Sequence, residues 1–170
     1  MALIVEDGTG KSDAESYASV ADFKTYCYKV GHGYVGNTDT EIEQALRRAT
    51  RWLDARYGAR FLGLWTFTAQ RLEWPRAYVL YRDTSISSDV VPAQVVAATC
   101  EATVRELASP HSLSEDESAT RVKRDRVGDV ETEFIQSAMG VTLVVRIIDD
   151  LLFGLTKGRS MAYVGRAIRA

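Results

Sequence analysis

Residues 2–28 read ALIVEDGTGKSDAESYASVADFKTYCY, and this stretch sets how the fold begins. The apolar run 2–5 stops at residues 6–8, Glu-Asp-Gly, which predicts a strand-like arm followed by a turn. Ser19 is a good N-cap, and apolar residues follow it at helical spacing. We therefore expect an extended N-terminal arm and a first amphipathic helix over Val20–Val30, which ends at a glycine.

Three further helices are predicted from apolar residues that recur with a helical period. The second covers residues 40–57, with Thr40 and Glu43 as a capping box. Pro92 is expected in the first turn of the third helix, where its missing N–H costs nothing. The expected ranges are 88–109 for the third helix and 140–157 for the fourth. The third helix is expected to bury Val96, Cys100, Val104 and Leu107.

The segment between the third and fourth helices changes period. Over residues 120–135 polar and apolar side chains alternate around Gly128-Asp129, which predicts a β-hairpin. Its first arm is basic and its second is acidic, which favours ion pairs between the two strands. The predicted fold class is mainly α: a small bundle of about four helices with an inserted β-hairpin and extended terminal arms. One helical domain is expected over residues 1–157 and a separate tail over 158–170.

The charge of the chain bears on its function. Its 170 residues carry 21 basic and 23 acidic side chains, a net charge of −2. Proteins that bind nucleic acid through phosphates usually have a basic excess. The best candidate for a DNA surface is Arg47, Arg48 and Arg51, with Trp65 or Trp74 for base stacking. A solvated helix face with a Glu43–Arg47 ion pair is the favoured alternative.

Signatures of enzymes and cofactors are scarce in the sequence. Gly10-Lys11-Ser12 looks like the end of a phosphate-binding P-loop, but Val5 stands where that motif needs a glycine. Cys27 and Cys100 lie on apolar helical faces and are expected to be buried thiols. We expect no enzymatic activity, no cofactor and no metal site, because the two histidines lie in unrelated loops. The longest apolar runs are too short for a membrane span, so a cytoplasmic, membrane-free protein is expected.

Several segments carry a family resemblance. They are the opening arm and first helix, the segment Leu72-Glu73-Trp74-Pro75-Arg76, and the charged hairpin after the third helix. Their order resembles the head–tail adaptor, or head-completion, proteins of long-tailed phages. Sequences of this group are often labelled as DnaT-like single-stranded-DNA-binding proteins, so the resemblance carries two different functional implications.

The adaptor resemblance implies a virion structural protein that assembles in the host cytoplasm. It implies a homo-oligomeric ring of about twelve copies beneath the portal protein, which docks a stopper or tail-terminator protein. Genomic DNA would pass through the ring without specific binding. We expect residues 158–170 to dock on the portal through Arg159, Met161, Tyr163, Arg166, Ile168 and Arg169. The alternative is a replication accessory protein that binds single-stranded DNA.

Overall fold

The computed structural model describes residues 2–34, 36–114, 125–127, 130–132 and 146–157. Within these ranges the chain is mainly α-helical, with short antiparallel strand pairs, and the predicted fold class is confirmed. The helices are α1 (Val20–Val30), α2 (Asp39–Tyr57), α3 (Ala93–Ala108) and α4 (Arg146–Leu151). The strands are β1 (Leu64–Trp65), β2 (Arg76–Ala77), β3 (Val79–Tyr81), β4 (Thr84–Ile86), β5 (Asp125–Val127) and β6 (Val130–Thr132).

The two N-terminal helices both begin with a capping box. Helix α1 starts at Ser19, whose hydroxyl and backbone N–H pair reciprocally with Asp22, and its bounds match the prediction. Helix α2 begins one residue earlier than predicted, because the box is formed by Thr38 and Glu41 rather than by Thr40 and Glu43. Thr38 N–H donates to Glu41 at 2.7 Å and the amide of Glu41 donates back at 3.3 Å.

Helix α3 buries different residues from the stripe that the sequence predicts. Pro92 is the N-cap rather than part of the first turn. Of the predicted stripe only Cys100 is fully buried, and Val96, Val104 and Leu107 pack at the edge of the core. The physical reason is that α3 packs against α1, α2 and α4 together, so several of its faces are covered. Its buried residues are therefore small or paired: Val95, Ala98, Thr99, Cys100, Glu101, Ala102, Thr103 and Glu106.

Helix α4 ends sooner than the sequence pattern predicts. The described helix stops at Leu151, and Gly154 takes a left-handed conformation with φ 90°. A side chain at Gly154 would lie 3.1 Å from the ring of Tyr81, so this turn needs glycine. Residues 155–157 then run antiparallel to residues 60–62. The predicted helical residues before Arg146 lie outside the described residues.

The strands form three separate two-stranded pairs: β1 with β2, β3 with β4, and β5 with β6. The pair β5–β6 confirms the predicted hairpin, with Asp125 opposite Thr132 and Val127 opposite Val130. The remaining residues of the predicted 120–135 hairpin lie outside the described part of the chain.

The described residues form two apolar core clusters, and α3 contributes side chains to both. The larger one joins the C-terminal half of α2 to α4 and to the aromatic segment 61–81. The smaller one joins α1 to the N-terminal half of α2 and contains both cysteines. The predicted burial of Cys27 and Cys100 as free thiols is confirmed.

A buried polar network connects three distant segments of the larger cluster. The hydroxyl of Tyr17 in the N-terminal arm donates to Asp54 Oδ1 of α2 at 2.7 Å, and accepts from the amide of Trp74 at 3.1 Å. The amide of Glu73 donates to the other oxygen of Asp54 at 3.2 Å. The Trp74-Pro75 peptide bond is cis. The Leu-Glu-Trp-Pro-Arg segment is thus held against the arm that begins the chain.

Candidate nucleic-acid interface

Arginines and aromatic rings alternate at the C-terminal end of α2 and in the 3-10 turn that follows it (residues 58–60). The guanidinium of Arg56 lies 5.6 Å from the ring centroid of Trp52 and 5.8 Å from that of Tyr57. The guanidinium of Arg60 lies 5.3 Å from the same Tyr57 ring. Because Trp52, Arg56 and Arg60 are spaced four residues apart, they lie next to one another along the helix and its last turn. We call Trp52, Arg56, Tyr57 and Arg60 together the arginine–aromatic surface.

The two guanidinium groups of this surface have unused hydrogen-bonding capacity. The Nε atoms of Arg56 and Arg60 are buried against the rings and have no hydrogen-bond partner among the described residues. An arginine held by stacking presents its remaining N–H groups in a fixed plane, which suits a planar or tetrahedral oxyanion. Arg56 and Arg60 are each partly exposed, so an external anion would contact them through that exposed part and not through the covered Nε atoms.

Tyr57 is the fixed centre of the surface. Its ring is fully buried, and its hydroxyl donates to Asp149 Oδ1 of α4 at 2.8 Å. Burial raises the pKa of Tyr57 to about 12; the hydrogen bond to Asp149 acts in the same direction, whereas the neighbouring Arg56 opposes it. The phenol is therefore neutral near pH 7, and it orients the ring on which both guanidinium groups rest.

The chain returns to this surface after α4. The amide of Lys157 donates to the carbonyl of Arg60 at 2.7 Å, and the amide of Leu62 donates to the carbonyl of Leu155 at 2.9 Å. Phe61 and Thr156 form an antiparallel bridge between these two bonds. The short ladder places the backbone of Lys157 directly beside Arg60.

The arginine patch considered from the sequence is largely neutralised by carboxylates. Arg47 pairs with Glu15 at 2.9 Å and with Glu43 at 3.4 Å, so the predicted Glu43–Arg47 ion pair is confirmed. Arg48 donates through Nε to the buried carboxylate of Glu106 at 2.6 Å. Only Arg51 of the three is fully exposed. These arginines hold the N-terminal arm and α3 against α2.

The two tryptophans proposed from the sequence as stacking residues are also engaged elsewhere. Trp74 is completely buried and packs edge-on against Phe61 at 5.6 Å. Trp65 is about half exposed, but its indole N–H donates at 2.9 Å to the Glu73 carboxylate, which also pairs with Arg76. Trp74 has no exposed ring to offer a base, and the indole N–H of Trp65 is already engaged.

The loop that resembles a P-loop holds a carboxylate of its own chain. Glu6, which is buried, accepts the backbone N–H groups of Gly8 and Gly10 at 2.9 Å and of Lys11 at 2.8 Å. Lys11 Nζ donates to the carbonyl of Val5 and pairs with Asp7. The amides that cradle a phosphate in a true P-loop are thus occupied by Glu6.

A second polar cluster lies between α1 and α3. Glu101 is buried, and one of its oxygens lies 2.7 Å from the Tyr26 hydroxyl and 2.9 Å from His32 Nε2. Nearby, burial raises the pKa of Cys27 to about 11 and that of Cys100 to about 12. These thiols stay protonated near pH 7 and are poor nucleophiles. The cluster anchors the loop after α1 to α3.

The described residues contain no group of three or more His, Cys, Asp and Glu side chains arranged to hold a metal ion. None of their helices is long and apolar enough to cross a membrane. The tail residues predicted to dock on the portal, Arg159, Met161, Tyr163, Arg166, Ile168 and Arg169, lie outside the described part of the chain.

The sequence analysis overlooked Arg56 and Arg60. The available signal was the four-residue spacing of Trp52, Arg56 and Arg60 beside Tyr57, without an acidic residue at the same spacing. It was missed because Arg47, Arg48 and Arg51 form a denser cluster in the sequence. Density along the chain does not reveal which arginines are paired in the fold.

These observations describe a mainly helical protein in which two partly exposed arginines stack on aromatic rings. Comparison with protein families also points to binding of nucleic acid. Residues 1–170 match the family model described as "Putative DnaT-like ssDNA binding protein", and the chain belongs to this family. No curated protein and no solved structure matches the chain significantly.

Proposed function

We propose that the chain binds single-stranded DNA through the arginine–aromatic surface. The observation that carries the proposal is the pair of partly exposed, ring-stacked guanidinium groups, Arg56 and Arg60, neither of which forms an ion pair with a described residue. The description of the family to which the chain belongs supports the same function.

The chemistry of the surface suits a single strand. Arg56 and Arg60 follow one another along α2 and its last turn, and each can donate to a phosphate oxygen. Trp52 is partly exposed and lies next to them, so the exposed part of its ring would be the contact for a base or a sugar. Single strands present unstacked bases to such a ring, whereas a duplex keeps its bases inside. The binding should be weak to moderate, because the net charge is −2.

The first prediction tests this surface by removing both charges while keeping side-chain length. We expect Arg56→Gln/Arg60→Gln to weaken binding of a fluorescent oligothymidine at least tenfold at low salt, because two charge-assisted contacts are lost. The slope of log K against log salt should fall by about 1.4, since each of the two phosphate contacts contributes about 0.7 on a single strand. Fluorescence anisotropy over a salt series measures both quantities.

A charge-matched control is available at the other end of the bundle. Lys24 of α1 pairs with exposed Asp39 at the start of α2, about 25 Å along that helix from Arg56. The variant Lys24→Gln/Lys29→Gln removes the same charge and should bind nearly as the parent does. If both variants lost the same affinity for oligothymidine, binding would depend only on the net charge of the protein. That result would contradict the proposed surface.

A second candidate function is a head–tail connector subunit of a tailed phage. The observation in its favour is a set of exposed apolar side chains on β1, β3 and their flanks, which includes Leu64, Trp65, Tyr78 and Leu80. Such side chains are typical of contacts between protein subunits. On this proposal the protein forms a homo-oligomeric ring beneath the portal, residues 158–170 dock on the portal, and a stopper or tail-terminator protein binds the other side.

Native mass spectrometry and pull-down with DNA-filled, portal-containing heads distinguish the two candidates. A ring that binds heads, together with no measurable affinity for oligothymidine, would favour the connector. A monomer or small oligomer that binds oligothymidine and fails to bind heads would favour the DNA-binding function.

A further inference from the structure

Helix α4 contacts the arginine–aromatic surface through one carboxylate. We infer that Asp149 is a positioning residue of this surface: it holds the Tyr57 ring on which both guanidinium groups stack, and so affects how tightly the surface binds a single strand. This inference rests on the proposed function. The contact that carries it is the hydrogen bond from the Tyr57 hydroxyl to Asp149 Oδ1, at 2.8 Å.

Tyr57 is the neighbour that the two arginines share. Its ring centroid lies 5.8 Å from the guanidinium carbon of Arg56 and 5.3 Å from that of Arg60. The ring is fully buried, so it supports the arginines rather than offering a face to a base. Side chains that touch a ligand keep their geometry only when packing and hydrogen bonds around them lock it. A bond at the hydroxyl end of the ring therefore restricts both guanidinium groups.

Asp149 is itself held in place by its own segment. Ile148, the preceding residue of α4, is fully buried in the larger core cluster. Eight positions after Asp149, the amide of Lys157 donates to the carbonyl of Arg60 at 2.7 Å. Residues 146–157 therefore contact the surface at two points, the Tyr57 hydroxyl and the Arg60 backbone.

The negative charge of Asp149 acts against the proposed binding. Asp149 is partly exposed, and it and Arg56 influence the pKa of Tyr57 in opposite directions, so both lie close to the Tyr57 hydroxyl. A phosphate at Arg56 would be repelled by this carboxylate. Asp149 can therefore favour DNA binding only through its hydrogen bond, which allows its positioning role to be separated from its charge.

Two neutral replacements of similar size make this separation. The amide oxygen of Asp149→Asn can still accept the Tyr57 hydroxyl, whereas Asp149→Leu offers no acceptor. We expect the Asn variant to bind oligothymidine at least fivefold more tightly than the Leu variant, because without the hydrogen bond two long side chains must be ordered on binding. Their salt slopes should agree, since both variants have the same charge and the same arginines. Fluorescence anisotropy of the full-length protein measures both quantities.

Asp150 provides the matched control on the same helix. It is exposed and lies next to Asp149 in the chain. Asp150→Asn and Asp150→Leu should bind oligothymidine with equal affinity. Urea unfolding followed by circular dichroism checks that all four variants are folded under the conditions of the binding assay, so that a loss of stability is not mistaken for a loss of affinity.

A measurement on the free protein tests the positioning without DNA. The Nε–H resonances of Arg56 and Arg60 should stay close to their parent positions in Asp149→Asn. In Asp149→Leu they should move toward the resonance of the exposed Arg51, because the ring no longer holds the guanidinium groups.

The outcomes separate this inference from the proposed function. If the parent protein does not bind oligothymidine, the proposed function is wrong and the role of Asp149 in DNA binding is wrong with it, whatever the resonances show. If the parent binds and the folded Asn and Leu variants bind equally, only the inference is wrong, and Asp149 merely stabilises the fold. A fivefold or larger difference at position 149, with none at position 150, supports the inference.

Discussion

Replacement of Glu106 by alanine should destabilise the protein by about 3 kcal/mol, because it removes a buried carboxylate that accepts from three donors. The Glu106 carboxylate is 1% exposed and accepts from Arg48 Nε at 2.6 Å. It also accepts the backbone N–H groups of His111 at 3.1 Å and Leu113 at 3.3 Å. Its loss leaves those amides and one guanidinium without their acceptor, and detaches the end of α3 from α2.

Urea unfolding followed by circular dichroism measures this effect. The matched control is Glu43→Ala, since Glu43 also pairs with an arginine of α2, but its side chain is 23% exposed. A partly exposed pair contributes less than about 1 kcal/mol. A Glu106→Ala variant within 1 kcal/mol of the parent protein would show that Glu106 is not a central tie between α2 and α3.

Replacement of Asp54 by asparagine should change how stability depends on pH. Burial raises the pKa of Asp54 to about 7, and the neighbouring Glu73 carboxylate adds to the rise. Hydrogen bonds from Tyr17 and from the amide of Glu73 oppose it, as does the charge of Arg76. In the unfolded chain the same carboxyl titrates near pH 4.

The direction of the effect follows from proton binding. Between pH 4 and pH 7 the folded protein holds a proton on Asp54 that the unfolded chain has released, so this group makes stability fall as pH rises. The fall amounts to about 4 kcal/mol across the window, at 1.4 kcal/mol for each pH unit. Below pH 4 both states are protonated, and well above pH 7 both are ionised, so the contribution becomes constant.

The measurement is the difference in unfolding free energy between Asp54→Asn and the parent protein from pH 4 to pH 8. Asparagine is neutral throughout, so the difference should shift steadily in favour of the variant as pH rises. Asp39→Asn, at an exposed ion pair with Lys24, should show little change. A pH-independent difference for Asp54→Asn would mean that Asp54 is ionised in the folded protein well below pH 7.

Much of the fold could be predicted from the sequence, because local signals and tertiary packing agree there. Helix α1 and its caps follow from Ser19 and Gly31 alone, and the hairpin follows from alternation around Gly128. The start of α2 was misplaced because two Thr-x-x-Glu patterns overlap, and only the geometry decides which one caps. The early end of α4 is followed by a left-handed Gly154 packed beside Tyr81, and helical periodicity predicts neither feature.

The candidate site was harder to predict than the fold. Whether an arginine is free depends on carboxylates that are distant in sequence, such as Glu15 for Arg47 and Glu106 for Arg48. The two residues of each ion pair lie 32 and 58 positions apart in the sequence, so no local sequence pattern predicts these pairs. Arg56 and Arg60 became candidates only once their aromatic stacking and unpartnered Nε atoms were visible.

If Arg56 and Arg60 contact single-stranded DNA, the Nε–H resonances of the arginines should report the contact most directly. In a titration of the labelled full-length protein with oligothymidine, the Nε–H signals of Arg56 and Arg60 should shift progressively. Those of Arg47 and Arg48, whose Nε atoms already donate to Glu15 and Glu106, should stay in place. Shifts confined to Arg47 and Arg48, or no shift at all at saturating oligonucleotide, would contradict the account.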